Sequence, residues 1–390
     1  MNQRTRSDPR RFAMWLLVLL LSIWPDAVRA EDGGFGYFAI GEPEAKIALP
    51  VRHPRTSLVL MGGGQDVDQA FRWMIRRAGI GPGTGGRFVV LRASGADGYN
   101  PYLYYSGPGG KTGEAPDPEW VGGAAMGVSS VETLVIPSRA AAEDPFVNAV
   151  VRRADAVFIA GGDQSRYIRF WKGTALDRSL TALLSRNIPI GGTSAGLAIL
   201  GEYAFAALRG SIDSTAALSN PFDPRITLDP DPADPGQGFL VPKPLAGVLT
   251  DSHFDRRKRM GRLIAFLSRL DGGEGNGCLG SLSTMQKHLG GIRGIGVSEQ
   301  AALLIESTKD EHDYIARRVK NPWSDTEGAV YFVRPLAPPS ECEPGMPLSI
   351  GQVEIRKLAD SRTVFNLTAW SGVDAYTVSV ENGQFDIPPY

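Results

Sequence analysis

RNIPIGGTSAGLAIL, Arg186 to Leu200, sets a serine between two kinds of segment. NIPI reads as a short buried strand, and LAILGEYAFAAL, residues 197–208, has the apolar spacing of a helix. Between them, Gly192-Thr193-Ser194-Ala195-Gly196 fits G-x-S-x-G. A serine aimed outward from a sharp strand-to-helix turn needs almost no bulk two residues to either side. The same turn directs the N–H of the following residue, Ala195, toward the place where an oxyanion forms. A plain helix-capping serine is the other reading of the pentapeptide; its place between a buried strand and a helix favours the nucleophile.

The surrounding chain repeats the alternation. TSLVLM (56–61), RFVVLRAS (87–94), VETLVIP (131–137) and DAVFIAGGDQ (155–164) are apolar, β-branched runs. DVDQAFRWMIRRAG (66–79), EDPFVNAVVRRA (143–154) and ALDRSLTALLSR (175–186) between them have helical spacing. Continuous apolar strands separated by amphipathic helices predict a mostly parallel sheet covered on both faces. Ligands in such folds sit beyond the carboxyl ends of the strands. The glycine-rich ends Gly62–Gly64, Gly161–Gly162 and Gly191–Gly192 are therefore expected on one rim. Past Leu208 the alternation breaks. The segment 219–244 is dense in Pro, Asp and Gly and reads as a surface loop or short hairpin. GIGVSEQAALLIE (294–306) reads as a tight β-hairpin, and four alternating runs from about Gly328 onward read as antiparallel strands.

A serine nucleophile needs a base, and the chain has four histidines. His53 precedes the first strand, His288 stands in a polar stretch, and His312 sits in the charged run KDEHDY. His253 ends the apolar strand LAGVLTDSHF, where a rim residue belongs, and is the candidate base. An acid must orient it. Glu299 lies among tightly turning apolar residues, where a carboxylate is costly unless paired; Asp251 and Glu306 stand behind it. Directly after His253, DRRKRMGRL places Arg256, Arg257, Lys258, Arg259 and Arg262 in an expected helix. A solvated basic face is the bland account. Arg259 and Arg262, three apart on one face, also suit bidentate capture of a substrate carboxylate. GGDQ supplies a second rim loop, with Gln164 facing the ligand.

FIAGGDQ, GGTSAG, DSHFDRRKRMGRL and GIGVSEQAAL, in that order, resemble cyanophycinase and its relatives in the S51 serine peptidase family. The resemblance runs from about Leu58 to Glu306. It implies a flavodoxin-like, class I glutamine-amidotransferase-like three-layer sandwich with a mostly parallel sheet, here carrying a β-rich C-terminal extension. It implies a catalytic set of Ser194, His253 and Glu299, with the Gly162 and Ala195 amides as oxyanion hole. Gln164, Asp251, Arg257, Arg259 and Arg262 match positions associated with the substrate pocket. The activity implied is serine-type exopeptidase cleavage of cyanophycin, an aspartate polymer bearing arginine on each β-carboxyl, to β-Asp-Arg dipeptides through an acyl-enzyme. No metal or organic cofactor is implied. Ser252 departs from the glutamine often found before the histidine in that family, which bears on the substrate more than on the reaction.

Three other functions stay open at this stage: a family member acting on short aspartyl peptides, a non-catalytic binder of an aspartate/arginine polymer, and an α/β-hydrolase esterase. The last expects the acid before the histidine and the histidine near the C-terminus, whereas His253 follows Ser194 closely and Glu299 comes later.

Composition limits the rest. With 390 residues, 43% hydrophobic, 21% charged and a net charge of -1, the chain supports a sizeable core and gives no general pull toward nucleic acid. Self-association into a homodimer is left open. Arg4, Arg6, Arg10 and Arg11 precede the apolar run 12–24, followed by Pro25 and AVRA. That pattern is an export leader cleaved near Ala30, giving a secreted or periplasmic chain. Cys278 and Cys342 allow one disulfide in such a compartment. The expected organisation is a leader at 1–30, an α/β peptidase domain at 31–327, and a β-rich extension at 328–390 packed on the core.

Overall fold

The computed structural model describes residues 34–48, 55–233, 236–271, 278 and 291–390. The expected leader, His53 and His288 lie outside them.

The first half of the chain alternates as its periodicity requires. In order come β1 (Gly36–Gly41), β2 (Ser57–Met61), α1 (Asp68–Arg77), β3 (Arg87–Arg92), α2 (Tyr99–Tyr104), β4 (Ser130–Val135), α3 (Arg139–Glu143) and α4 (Pro145–Arg152). β5 (Ala156–Ile159), α5 (Gln164–Trp171), α6 (Ala175–Ser185), β6 (Ile190–Thr193) and α7 (Ala195–Ala198) follow. The second half contains β7 (Ala204–Phe205), α8 (Ser214–Ser219), β8 (Leu228–Asp229), β9 (Val248–Asp251), α9 (Met260–Asp271), β10 (Arg293–Val297) and β11 (Ala301–Ser307). It closes with β12 (Tyr314–Lys320), β13 (Val330–Pro335), β14 (Ile350–Leu358), β15 (Val364–Asn366), β16 (Ala375–Glu381) and β17 (Gln384–Phe385).

Nine strands form one sheet in the order β1-β4-β3-β5-β6-β2-β11-β12-β15. Its middle five, β4 to β2, are parallel, and antiparallel strands flank them. Every residue of β2 is buried because both faces are covered. Leu58 and Leu60 join the apolar cluster on one face, while Val59 and Met61 join the cluster with α1 on the other. The expected α/β sandwich with a mostly parallel sheet is the fold observed.

A second sheet, β17-β16-β14-β13-β10-β9, packs on the large one. Val330 and Phe332 of β13 face the large sheet, where Phe332 stacks on Phe365 of β15 at 3.7 Å. Tyr331 and Val333 point the other way into the cluster with α9. Cys278 and Cys342 are joined with their Cα atoms 5.5 Å apart across 64 residues of sequence. Closing a loop of that length lowers the entropy of the unfolded chain by about 4 kcal/mol.

Four expectations are corrected. The run 294–306 is not a hairpin: β10 belongs to the second sheet and β11 to the large one, and the chain crosses between them at 298–300. Both strands are almost wholly buried, without the alternation of a half-exposed hairpin, so local pattern cannot tell a hairpin from a crossover between packed layers. The boundary at 327/328 divides a sheet, because β13 pairs with β10, Gly294 opposite Val333, and β15 extends the large sheet. The helix after Ser194 is a single turn before the chain turns toward β7. α9 starts at Met260, so Arg256 to Arg259 occupy turns and Arg259 does not share a helix face with Arg262.

Candidate active site

β6 ends at Thr193, and Ser194 follows with φ +52° and ψ −113°. A non-glycine residue in that region is strained, and the surroundings must hold it there. Ser194 N–H donates to Met61 O at 3.0 Å, and its carbonyl accepts from Ala198 N–H at 3.0 Å. The flanking glycines are required by close approach. A Cβ on Gly192 would stand 2.5 Å from the backbone of Gly196, and one on Gly196 would stand 2.1 Å from Ile159 O.

His253 arrives from the end of β9, itself with φ +49°, and is held by its N–H donating to Gly62 O at 2.8 Å. Its Nε2 lies 2.7 Å from Ser194 Oγ, and its Nδ1 lies 2.6 Å from Glu299 Oε1. Glu299 sits at the crossover between the two sheets, fixed by Gln300 N–H donating to Gly63 O at 2.8 Å. The structure therefore brings the three expected residues into one hydrogen-bonded line, with His253 and Glu299 at 8% exposure and Ser194 partly exposed at the cavity. Arg256 completes the acid's environment, Nη1 to Glu299 Oε2 at 3.1 Å.

The electrostatics suit a neutral imidazole beside an ionised carboxylate. Burial pushes His253 below its ordinary range; the Glu299 hydrogen bond works against this, and Arg257 and Arg259 add to the lowering. Burial opposes ionisation of Glu299, but the hydrogen bond from His253 and the charges of His253, Arg256 and Arg257 outweigh it, so its carboxyl is held low.

A cavity of about 470 Å³ opens beside Ser194. Gly162, Ala195, Gln164, Arg257 and Arg259 line it as expected. Neither the Gly162 nor the Ala195 amide hydrogen-bonds a described residue, so both donors are free at the rim. Asp251 and Arg262 are a correction: each is 2% exposed, and both lie behind the wall. Asp251 accepts from Arg262 Nε at 2.8 Å and Nη2 at 2.5 Å, from Ser252 N–H at 2.9 Å, and from Arg259 Nη1 at 3.3 Å. That carboxylate is spent inside the protein, since a buried arginine needs a partner. Glu306, the other acid considered, pairs with Arg77 and Arg317 away from the cavity. His312 is exposed.

Two lining elements escaped sequence reading. Arg169 reaches the wall from the far end of α5, and the loop at Ala207, Leu208, Gly210 and Ser211 closes one side. Arg169 lies five residues past Gln164 in GGDQSRYIRFW, a signal that was present but not separable from a solvated helix face. Among the described residues no group of three or more His, Cys, Asp or Glu is placed to hold a metal.

Residues 124–218, which carry Ser194 and the α5 rim, match the sequence model of peptidase family S51. The cyanophycinase of Geminocystis herdmanii is 29% identical over 145 residues, covering 37% of this chain and 47% of that protein. The cyanophycinase of Synechococcus elongatus is 34% identical over 144 residues, 37% of this chain and 39% of that one. The match thus spans less than half the length of these relatives. A crystal structure of a peptidase from an acI-B1 actinobacterium aligns over 72% of this chain and 91% of its own, with TM-score 0.40 and 14% identity.

Proposed function

We propose that this chain is a serine-type peptidase of family S51 in which Ser194 is the nucleophile, His253 the general base and Glu299 the residue that orients it. The observation that carries this reading is the line from Ser194 Oγ through the His253 imidazole to Glu299, at 2.7 and 2.6 Å, beside two free amides. Neutral His253 accepts the Ser194 proton as Oγ bonds to the scissile carbonyl carbon. The oxyanion is met by the Gly162 and Ala195 amides. His253 then returns the proton to the departing amine, and water, activated the same way, cleaves the ester and restores Ser194.

The substrate class follows from cavity charge. Arg169, Arg257 and Arg259 line it against one acid, Asp163, so it suits a peptide bearing carboxylates near the scissile bond. Cyanophycin, the polymer named by the curated relatives, is the substrate in this reading, cut to β-Asp-Arg dipeptides, with Asp163 left to meet a guanidinium. Because Asp251 is occupied by Arg262, the cavity has more cations than an arginine-rich polymer needs. This favours short aspartyl peptides as a second reading. Export through the leader belongs to the proposal and is supported by the basic and apolar pattern of residues 4–24; N-terminal sequencing of the exported chain checks it.

Incubation with cyanophycin granules and, in parallel, with α- and β-aspartyl dipeptides, followed by mass analysis, tests both readings. Release of β-Asp-Arg supports the first. Cleavage of aspartyl dipeptides alone supports the second. Absence of hydrolysis together with no labelling of Ser194 by a serine-directed phosphonate rejects both.

A further inference from the structure

The turn 254–259 sits between His253 and the first residue of α9, and it carries Arg257 and Arg259 into the cavity. It is an awkward piece of backbone, with His253 just before it at φ +49° and Lys258 within it at φ +48°. The start of α9 has an amide, Met260 N–H, that needs a partner from outside the helix. Its partner comes from 130 residues away: Met260 N–H donates to Tyr390 Oη at 2.8 Å. The same hydroxyl donates to Phe254 O at 3.3 Å. One phenol thus bridges the two ends of the turn. Its ring is held by edge contacts with Phe254 and Tyr331, at 6.2 and 5.6 Å between centroids. Tyr331 belongs to β13, so the clamp is anchored in the second sheet and not in the turn itself.

We infer that Tyr390 is a positioning residue for the cavity arginines, closing the turn that carries Arg257 and Arg259 through its hydroxyl. His253 is secured independently by Gly62 O, Ser194 and Glu299. Loosening the turn therefore affects recognition more than the nucleophile–base pair. Burial raises the phenol above its ordinary range, so the hydroxyl keeps its proton and serves both bonds across neutral pH.

The kinetic part of this inference rests on the peptidase reading above. Tyr390→Phe keeps both ring contacts and removes only the hydroxyl. Hydrogen–deuterium exchange across 254–263 of the full chain is expected to rise about tenfold, with exchange in β2 and β6 unchanged. KM for an aspartyl peptide should rise roughly fivefold to tenfold, with kcat and the hydrolysis of a small neutral ester within twofold of the parent. Unchanged exchange overturns the clamp. Raised exchange with an unchanged peptide KM overturns the positioning role, as does an equal loss on peptide and ester. A parent chain inactive on both substrates rejects the peptidase reading instead, and with it the positioning of arginines for substrate, while the exchange measurement still decides the clamp.

Discussion

Gly63 lacks a side chain where the ring of His253 stands: a Cβ on Gly63, whose φ is +93°, would come within 2.4 Å of His253 Cε1. The glycine-rich end of β2 therefore does more than turn the chain. It leaves the volume in which the imidazole can lie between Ser194 and Glu299.

Gly63→Ala should displace that ring. We expect kcat/KM on an aspartyl peptide to fall at least a hundredfold, with a stability cost of about 1–3 kcal/mol from the left-handed backbone. Thermal unfolding and steady-state kinetics check this together. Near-parental activity in a folded variant would mean that His253 has another productive position.

At Ser194, two substitutions separate chemistry from strain. Ser194→Ala should abolish turnover while leaving folding and peptide binding intact. Ser194→Gly is equally inactive but tolerates φ +52°, ψ −113° without strain, so it should be more stable than Ser194→Ala by about 1–3 kcal/mol. Equal unfolding midpoints would show that the elbow stores no strain.

The pH profile follows from the buried imidazole. His253 must be neutral to accept a proton, and burial holds it below its ordinary pKa of about 6.5. The acid limb of kcat/KM should thus fall below about pH 6.5. Glu299→Gln removes the hydrogen-bonded charge that opposes the lowering, so the limb moves further toward acid while kcat drops by about two to four orders of magnitude. Since the folded chain takes up this proton less readily than the unfolded one, the group also costs stability as pH falls below about 6.5. An acid limb above pH 7 would contradict the assignment of His253 as base.

Asp251→Asn tests the buried pair. Arg262 is 2% exposed and would lose its counter-charge, so unfolding free energy should drop by about 3–5 kcal/mol. KM of the folded fraction should change little, because Asp251 does not reach the cavity. Parental stability with a raised KM would return Asp251 to the substrate pocket. Arg262 and Arg259 hold the Asp251 carboxyl low against the effect of burial, so its contribution persists in mild acid and is lost only as pH falls through its depressed pKa.

Much of the fold was legible locally. Residues 58–61 of β2 and all of β5 are unbroken apolar runs, α1 and α6 have one apolar face, and the glycine-rich strand ends could belong only on a rim. The three residues of the hydrogen-bonded line were readable because each stands where its chemistry is unusual: a serine between glycines, a histidine at a strand end, a carboxylate among apolar neighbours. The tail resisted because strand pairing is non-local. Nothing near β13 indicates that its partner is β10, and nothing near Tyr390 indicates that it serves Phe254 and Met260.

By itself, the amino-acid order determined the parallel sheet, the bulk-free turn at Ser194 and the choice of His253 as the candidate base, because backbone sterics and apolar periodicity act over a few residues. Tertiary structure alone decided which charges remain available. Asp251, Arg259 and Arg262 read alike as ligand-binding residues, yet only Arg259 keeps a face on the cavity. Burying Arg262 against the aromatic rings of Phe205 and Phe266 required a carboxylate beside it, and the residue within reach was Asp251.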